Sequence, residues 1–340
     1  MAIPPLLKDI NERAVLETIR SAAPISRAEI SRRIGVSKPT VSLALRSLLA
    51  GGLVREAGED VRQPAYGAVY FEPVPEAAVV LGIDLGARFL RGAICDLAGR
   101  TRSRRDVELD GPDAASVVAS IVALRSSLVE STGLPERIID GMVVGVPGVV
   151  EPDGETVALA ANVPEIEGAS FVRELREAVS GSVTLENDIN LAALGERWSG
   201  VARGVDDFAF VSVGTGLGAG IVLRGELHRG HRGAAGEIDL VRVGLPDDFD
   251  PAAPAVAALT EQLVERGGPS TSLMVPLDTR AVFKAARTGD AVALEVVAEE
   301  ARRIALHIAP IAAVADVGLV VLGGGIGANG ALLLPGVRSL

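Results

Sequence analysis

The chain has 340 residues, two to three times the usual size of a single domain, so at least two packed units with sizeable cores are expected. Hydrophobic residues at 48% and charged residues at 23% exclude a disordered or fibrous protein, and a single Cys excludes a disulfide scaffold or a multi-thiolate metal cluster within one chain. The net charge of −11 is unevenly spread: residues 1–66 hold ten Lys and Arg against seven Asp and Glu, a net of +3, and the other 274 residues carry −14. Phosphate contacts need Lys and Arg, so the asymmetry suggests a small nucleic-acid-facing module attached to an acidic body.

The opening MAIPPLLKDINERAVL has no uninterrupted apolar core of secretory length, and the most apolar stretch, Ile304 to Leu334, is broken by His307, Pro310, Asp316 and Gly323-Gly324-Gly325. No membrane partner is expected, and the expected location is a reducing cytoplasm.

Three short helices are predicted in the basic head. Leu7, Ile10, Ala14, Val15 and Ile19 recur at helical spacing through Ser21, and Pro24 ends that helix. Ser26, with Glu29 three residues on as a capping box, opens a second helix carrying Ile30 and Ile34, and Gly35 supplies a turn. Ser37 caps a third helix with Pro39 in its first turn and with Val41, Ala44, Leu45, Leu48 and Leu49 as its buried stripe. Its outward face holds Lys38, Thr40, Ser42 and Arg46; with Arg27, Ser37 and Pro39 these are the candidate DNA-binding residues, since they can meet phosphates and base edges. Leu53–Glu56 and Ala68–Phe71 alternate like two strands around a charged, Pro-containing tip, as a wing would. A three-helix packing or dimerisation module, with Ser and Lys as solvated caps, is the alternative.

From Ala77 onward strands alternate with Gly turns and helices. Val79–Gly86 is a buried strand running into a Gly turn, followed by a strand at Leu90–Cys95, and a similar unit recurs at Phe210–Val222. Two such hairpins suggest two related lobes facing each other across a cleft, with Gly letting backbone amides approach phosphate oxygens. Val143–Gly148 is a strand ending in a Gly-Pro turn, and Val183–Asp188 is a strand ending in Glu186-Asn187-Asp188 before a helix over Ile189–Trp198. Asp188 could accept a proton from a sugar hydroxyl and Asn187 offers both a donor and an acceptor. Both could equally be helix caps.

On these pieces, VVLGIDLG, VVGVPGVV, LENDINLAALGE, VSVGTGLGAGIVLRGELHRGHRGAAGEIDL and VVLGGGIGANG, the sequence resembles the ROK family, which groups repressors with sugar kinases. The head ISRAEISRRIGVSKPTVS is of the type seen in the repressor branch. The resemblance implies an α/β protein: a winged helix-turn-helix over residues 1–75, then a two-lobed actin- and hexokinase-like domain with lobes over 76–190 and 191–340. It implies Asp188 as the position of the kinase general base, vestigial here, and Asn162, Asn187, Asp188 and Glu237 as sugar-contacting positions. Asp84 and Gly86, then Gly214, Thr215 and Gly216, then Gly323, Gly324 and Gly325 correspond to its nucleotide loops.

Three departures qualify that reading. Family kinases resemble Asp-Leu-Gly-Gly-Thr-Lys at the first phosphate loop, whereas here it reads Asp84-Leu85-Gly86-Ala87-Arg88-Phe89. Arg88 could still pair with phosphate, but phosphoryl transfer depends on tuned positioning, so ATP binding is doubtful. Members with zinc have a His where Leu240 stands and a later Cys cluster, while no Cys follows Cys95; His228 and His231 alone cannot make a tetrahedral site, so no metal is expected. The chain also stops at Leu340, where the family usually continues through another strand and helix. The expected function is a sugar-responsive repressor without cofactor, partnered by double-stranded operator DNA and a sugar or sugar phosphate effector, as a homodimer or tetramer. A sugar kinase that also binds DNA is the alternative.

Overall fold

The computed structural model describes residues 5–57, 68–109, 111, 113–133, 139–179, 181–242, 249–267, 271–274 and 276–339. Helix α1 (Pro5–Ala22) is followed by the two-residue strand β1 (Ile25–Ser26), then α2 (Arg27–Ile34) and α3 (Lys38–Ala50). Ser26 accepts the Glu29 N–H and Ser37 the Thr40 N–H, each at 3.3 Å, so both predicted caps form, and Gly35 closes α2 at φ 69°. The Glu29 carboxylate turns to Arg32 and Arg33, with Arg33 Nε at 2.8 Å from Oε1. Val15, Ile19, Ile30, Val41, Ala44, Leu45 and Leu48 make the head's core together with Ile25, Val54 and Phe71. Leu7, Ile10 and Leu49, expected on buried stripes, are exposed. For α1 the core residues begin at Val15, and the turns before it contribute nothing to that core.

The wing strands are β2 (Val54–Glu56) and β3 (Tyr70–Pro73), antiparallel with Arg55 opposite Glu72 and joined at 2.7 Å by their side chains. Strand β1 adds to β3, so the wing is a three-stranded sheet rather than a lone hairpin. The expected tip lies mostly within residues 58–67, outside the described residues.

In the body, β4 (Val79–Leu85), β5 (Phe89–Asp96) and β6 (Thr101–Glu108) form an antiparallel meander. The apolar helix α4 (Ala114–Thr132) follows, then β7 (Ile139–Val146), the short hairpin β8 (Val149–Val150) and β9 (Val157–Ala158), α5 (Ser170–Ala178) and β10 (Val183–Asn187). The sheet order is β10-β7-β4-β5-β6. Val79, Leu81, Ile83 and Leu85 alternate inward along β4, as a strand covered on one face requires. On length and composition α4 could cross a membrane, but Val117, Ile121, Leu124 and Leu128 are buried within the protein.

Helix α6 (Asp188–Ser199) leads to β11 (Phe208–Val213), β12 (Leu217–Leu223) and β13 (Glu226–Leu227), and then to α7 (Ala253–Glu265), α8 (Thr279–Arg287) and α9 (Ala291–Ala315). Strand β14 (Leu319–Gly323), α10 (Gly324–Gly327) and α11 (Gly330–Ser339) complete the described chain. This sheet has order β13-β12-β11-β14, with β14 parallel to β11. Alternation along β11 sends Ala209, Val211 and Val213 to the core shared with α7, α8 and α9, and Phe208 and Phe210 to the smaller core under α6.

The chain divides into two compact units, Met1–Val144 with Asn162–Leu185, and Gly145–Ala161 with Glu186–Leu340. The division differs from the expected domains at 1–75, 76–190 and 191–340. The head, although it keeps its own core, groups with the first half of the body, and residues 145–161 group with the second.

Candidate functional site

On the head, α3 presents Lys38 and Arg46 to solvent, about 12 Å apart along the axis, with no described residue paired to either. The remaining candidates serve the helix as well. Ser37 Oγ lies 2.8 Å from Thr40 Oγ1 as part of the cap, and Pro39 occupies the first turn. Ser42 Oγ donates to the Lys38 carbonyl at 2.9 Å and accepts from Arg27 Nη1 at 3.1 Å, so Arg27 braces the start of α2 against the exposed side of α3.

In the second unit, Asn187 is the N-cap of α6. Its Oδ1 accepts the Asn190 N–H at 2.9 Å and its Nδ2 donates to the Gly148 carbonyl at 3.0 Å, which commits most of its amide to the fold. Asp188, half-buried at the first position of α6, accepts the Ile189 N–H at 2.9 Å through one oxygen. Glu186 is buried, and its carboxylate takes the Asn187 N–H and Asn190 Nδ2 at 3.0 Å each and Arg229 Nε at 2.7 Å.

Glu237 follows a tight loop. Gly236 sits at φ 99°, its carbonyl accepts the Ala219 N–H at 2.8 Å, and a Cβ there would overlap the Ala219 carbonyl oxygen. Burial, with Asp239 adding, raises the Glu237 carboxyl above its ordinary value. Leu240, His228 and His231 are exposed.

The second and third glycine loops come together. The Gly214 N–H bonds the Gly216 carbonyl at 2.9 Å, leaving Thr215 exposed at the tip, and a Cβ on Gly214 would stand 3.5 Å from the Gly325 nitrogen. Gly324, at φ 78°, packs against the Val213 backbone where no side chain fits, and Gly323 ends β14 against the Phe210 ring.

Asp84 and Gly86 belong to the first unit. Asp84 accepts Arg91 Nη1 at 2.9 Å across the β4–β5 pair, and the Gly86 N–H bonds the Phe89 carbonyl at 2.9 Å. Arg88 donates through Nε to Glu108 at 2.8 Å and its guanidinium carbon lies 5.3 Å from the Phe89 ring centroid, a cation–π distance. Beside them is a cavity of about 320 Å³ whose polar lining is Arg88, Asn162 and Glu165 and whose apolar lining includes Leu109, Val117 and Pro164. Asn162, an isolated polar residue in the sequence, is thereby placed at a cavity.

The sequence reading missed Glu186, Asn190 and Arg229. Glu186 carried a signal: an acidic residue in a strand of buried positions must find a partner.

A winged helix-turn-helix head joined to an α/β body with two glycine-turned hairpins defines a class of regulator-like proteins. The comparisons narrow it. The ROK family matches residues 80–247 and 253–340, and a winged helix-turn-helix DNA-binding domain matches residues 8–55. The chain belongs to the ROK family. The xylose repressor of Caldicellulosiruptor bescii is 26% identical over 351 residues, covering 98% of this chain and 88% of the repressor. The DNA-binding transcriptional dual regulator NagC of Escherichia coli is 24% identical over 346 residues, covering 98% of this chain and 85% of NagC. A crystal structure of a ROK family transcriptional regulator, a homolog of the Escherichia coli MLC protein, superposes with TM-score 0.81 at 21% identity, covering 98% of this chain and 87% of that one. A ROK family glucokinase from Streptomyces griseus, solved with glucose and AMPPNP, superposes with TM-score 0.65 at 26% identity over 77% of this chain and 88% of the kinase. The kinase share leaves out about a quarter of this chain.

Proposed function

We propose that this chain is a sugar-responsive DNA-binding transcriptional repressor of the ROK family that works without phosphoryl transfer. The observation that carries the reading is the joining of a winged helix-turn-helix with exposed Lys38 and Arg46 on its third helix to a ROK body. Relatives that match over 98% of this chain, one named a xylose repressor and one a DNA-binding transcriptional dual regulator, support it. Against a kinase role, Arg88 and Phe89 stand where the resemblance expects a hydroxyl and a Lys, and Arg88 is engaged with both Phe89 and Glu108. Transfer depends on phosphates and metal held in line, which such a loop does not provide.

The effector in this reading is a sugar or sugar phosphate. Asp188 and Glu237 are the hydroxyl-reading candidates of the second unit, Asp188 as an acceptor rather than a base. Asn187 chiefly holds the strand end. A zinc ion is not part of the reading: Leu240 offers no ligand atom, and no Cys follows Cys95. The protein acts in the cytoplasm as a homodimer or dimer of dimers on a two-fold operator, because one small head offers limited interface.

The test is to select duplexes from a random library with the full chain, then titrate operator binding at fixed salt with a panel of sugars and sugar phosphates. Sequence-selective binding released by one class of sugar is expected. Failure to select any sequence would overturn the reading, as would ATP-dependent sugar phosphorylation at about 1 s⁻¹ or faster that disappears in Asp188→Asn.

A further inference from the structure

We propose that the first-unit cavity binds an acidic monosaccharide derivative, one carrying a carboxylate or a phosphate, and that Arg88 pairs with its anionic group. This rests on the sugar-responsive reading and names the class of ligand. At about 320 Å³ the cavity is of small-ligand size. Among the described residues it offers one cation, Arg88; one amide, Asn162; one carboxylate, Glu165; and apolar wall from Leu109, Val117 and Pro164. Hydroxyls suit the amide and the carboxylate, C–H faces suit the wall, and the guanidinium is the group that calls for a negative charge.

Arg88 is held for that task. Its Nε is taken by Glu108 and its guanidinium carbon lies near the Phe89 ring, while the terminal nitrogens donate to no described residue. A guanidinium engaged through Nε leaves its two-pronged edge for a planar or tetrahedral anion. The bond to Glu108 does not cancel the charge seen by a ligand, because both side chains are largely exposed, 73% and 58%, and exposed pairs are weak. Arg88 and Phe89, which depart from the kinase-like loop, thus form one unit: the aromatic ring supports the cation that lines the cavity.

The experiment is calorimetric titration of the full chain, at fixed salt, with a panel of aldoses and with the uronate and 6-phosphate of each hexose in it. Operator release by the same compounds is followed by fluorescence anisotropy on a selected duplex. At least one acidic derivative should bind tenfold or more tightly than its neutral parent. That preference should vanish in Arg88→Met, persist in part in Arg88→Lys, and weaken in Phe89→Leu, with unfolding midpoints close to wild type because these side chains lie at the surface. Whether the uronate or the phosphate gains tells which anion is recognised. Equal binding of neutral and acidic sugars, or a preference retained in Arg88→Met, overturns the inference. If a neutral sugar still releases the operator in those cases, the repressor reading stands without it. If no compound releases the operator, the effector reading fails too.

Discussion

Arg229 donates from Nε to Glu186 at 2.7 Å, tying the segment that leads to Glu237 to the strand end that carries Asn187 and Asp188. The same carboxylate holds the Asn187 N–H and the Asn190 side chain, so one buried group sets the exit of β10, the first turn of α6 and the start of the loop. Arg229→Met removes one of these three donors and should cost roughly 1–3 kcal/mol, the usual range when a buried polar group loses a partner. Urea unfolding should show a lower midpoint at unchanged slope. Effector affinity should drop while operator affinity stays, because Arg229 is far along the chain from the head and belongs to the other compact unit. Wild-type effector affinity in a destabilised Arg229→Met would mean that the pair holds the fold and not the ligand groups.

Gly236 gives a sharper perturbation of the same loop. Its φ of 99° is a backbone state that side chains disfavour, and the added methyl would run into the Ala219 carbonyl. Gly236→Ala should therefore cost about 1–3 kcal/mol or more and displace Glu237. Gly267 at φ 63° has open space around it, so Gly267→Ala should lose only the backbone component, roughly 1–2 kcal/mol. Thermal unfolding of the two variants side by side checks the difference; equal losses would remove the packing argument.

Much of this architecture was legible in the sequence because its signals are local. Caps at Ser26 and Ser37, the αL Gly35, the alternation of Val79–Leu85 and the two Gly-turned hairpins each need only a few neighbouring residues. What was not legible depends on chain-distant partners. The pairing of β1 with β3, the engagement of Glu186 by Arg229 and the support of Arg88 by Glu108 join residues 20 to 46 positions apart, and no short-range pattern encodes them. The exposure of Leu7 and Ile10 was hidden for a related reason, since periodicity shows which face is apolar but not how far along the helix the core reaches.

Glu300, 1% exposed on α9, predicts a pH dependence of stability. Burial pushes its carboxyl up to about 9; nearby Arg303 pulls it down, while Asp250 and Glu299 push it further up. Folded protein keeps the proton at neutral pH, whereas the unfolded chain loses it near the ordinary value of 4.5. The group's contribution is therefore fully present below about pH 4.5, declines as pH rises, and levels off above about 9. Glu300→Gln, which keeps the shape without the titration, should gain stability over wild type progressively from pH 5 to pH 9. Asp290 runs the other way: bonds led by the Ser272 N–H hold it at about 2, so what it contributes is present above its ordinary 3.8 and is lost as pH falls through about 2. Denaturation midpoints of wild type and Glu300→Gln across pH 5 to 9 decide it; a constant difference would show that Glu300 does not hold a proton in the fold.

The third helix of the head separates positioning from reading. Lys38 and Arg46 are exposed with no described partner, whereas Ser42 and Arg27 are bonded to each other at 3.1 Å. If Lys38 meets a phosphate, Lys38→Ala should weaken binding to every duplex alike and lower the slope of log affinity against log salt by about 1. If Arg46 reaches a base edge, Arg46→Ala should cost about 1–3 kcal/mol and relax the preference at one position of the selected site. Arg27→Ala frees the Ser42 hydroxyl, which keeps its bond to the Lys38 carbonyl, so α3 should remain folded while its tilt against α2 loosens. Its effect should resemble a general loss of affinity without a change in the preferred sequence. Ser37→Ala tests the cap: losing the bond to the Thr40 N–H should lower head stability by about 0.5–2 kcal/mol and weaken DNA binding through it. Binding to a selected duplex and to a scrambled one, each over a salt series, distinguishes these outcomes. Unchanged affinity, slope and preference in a folded Lys38→Ala, Arg46→Ala double variant would show that this helix is not the DNA-reading element.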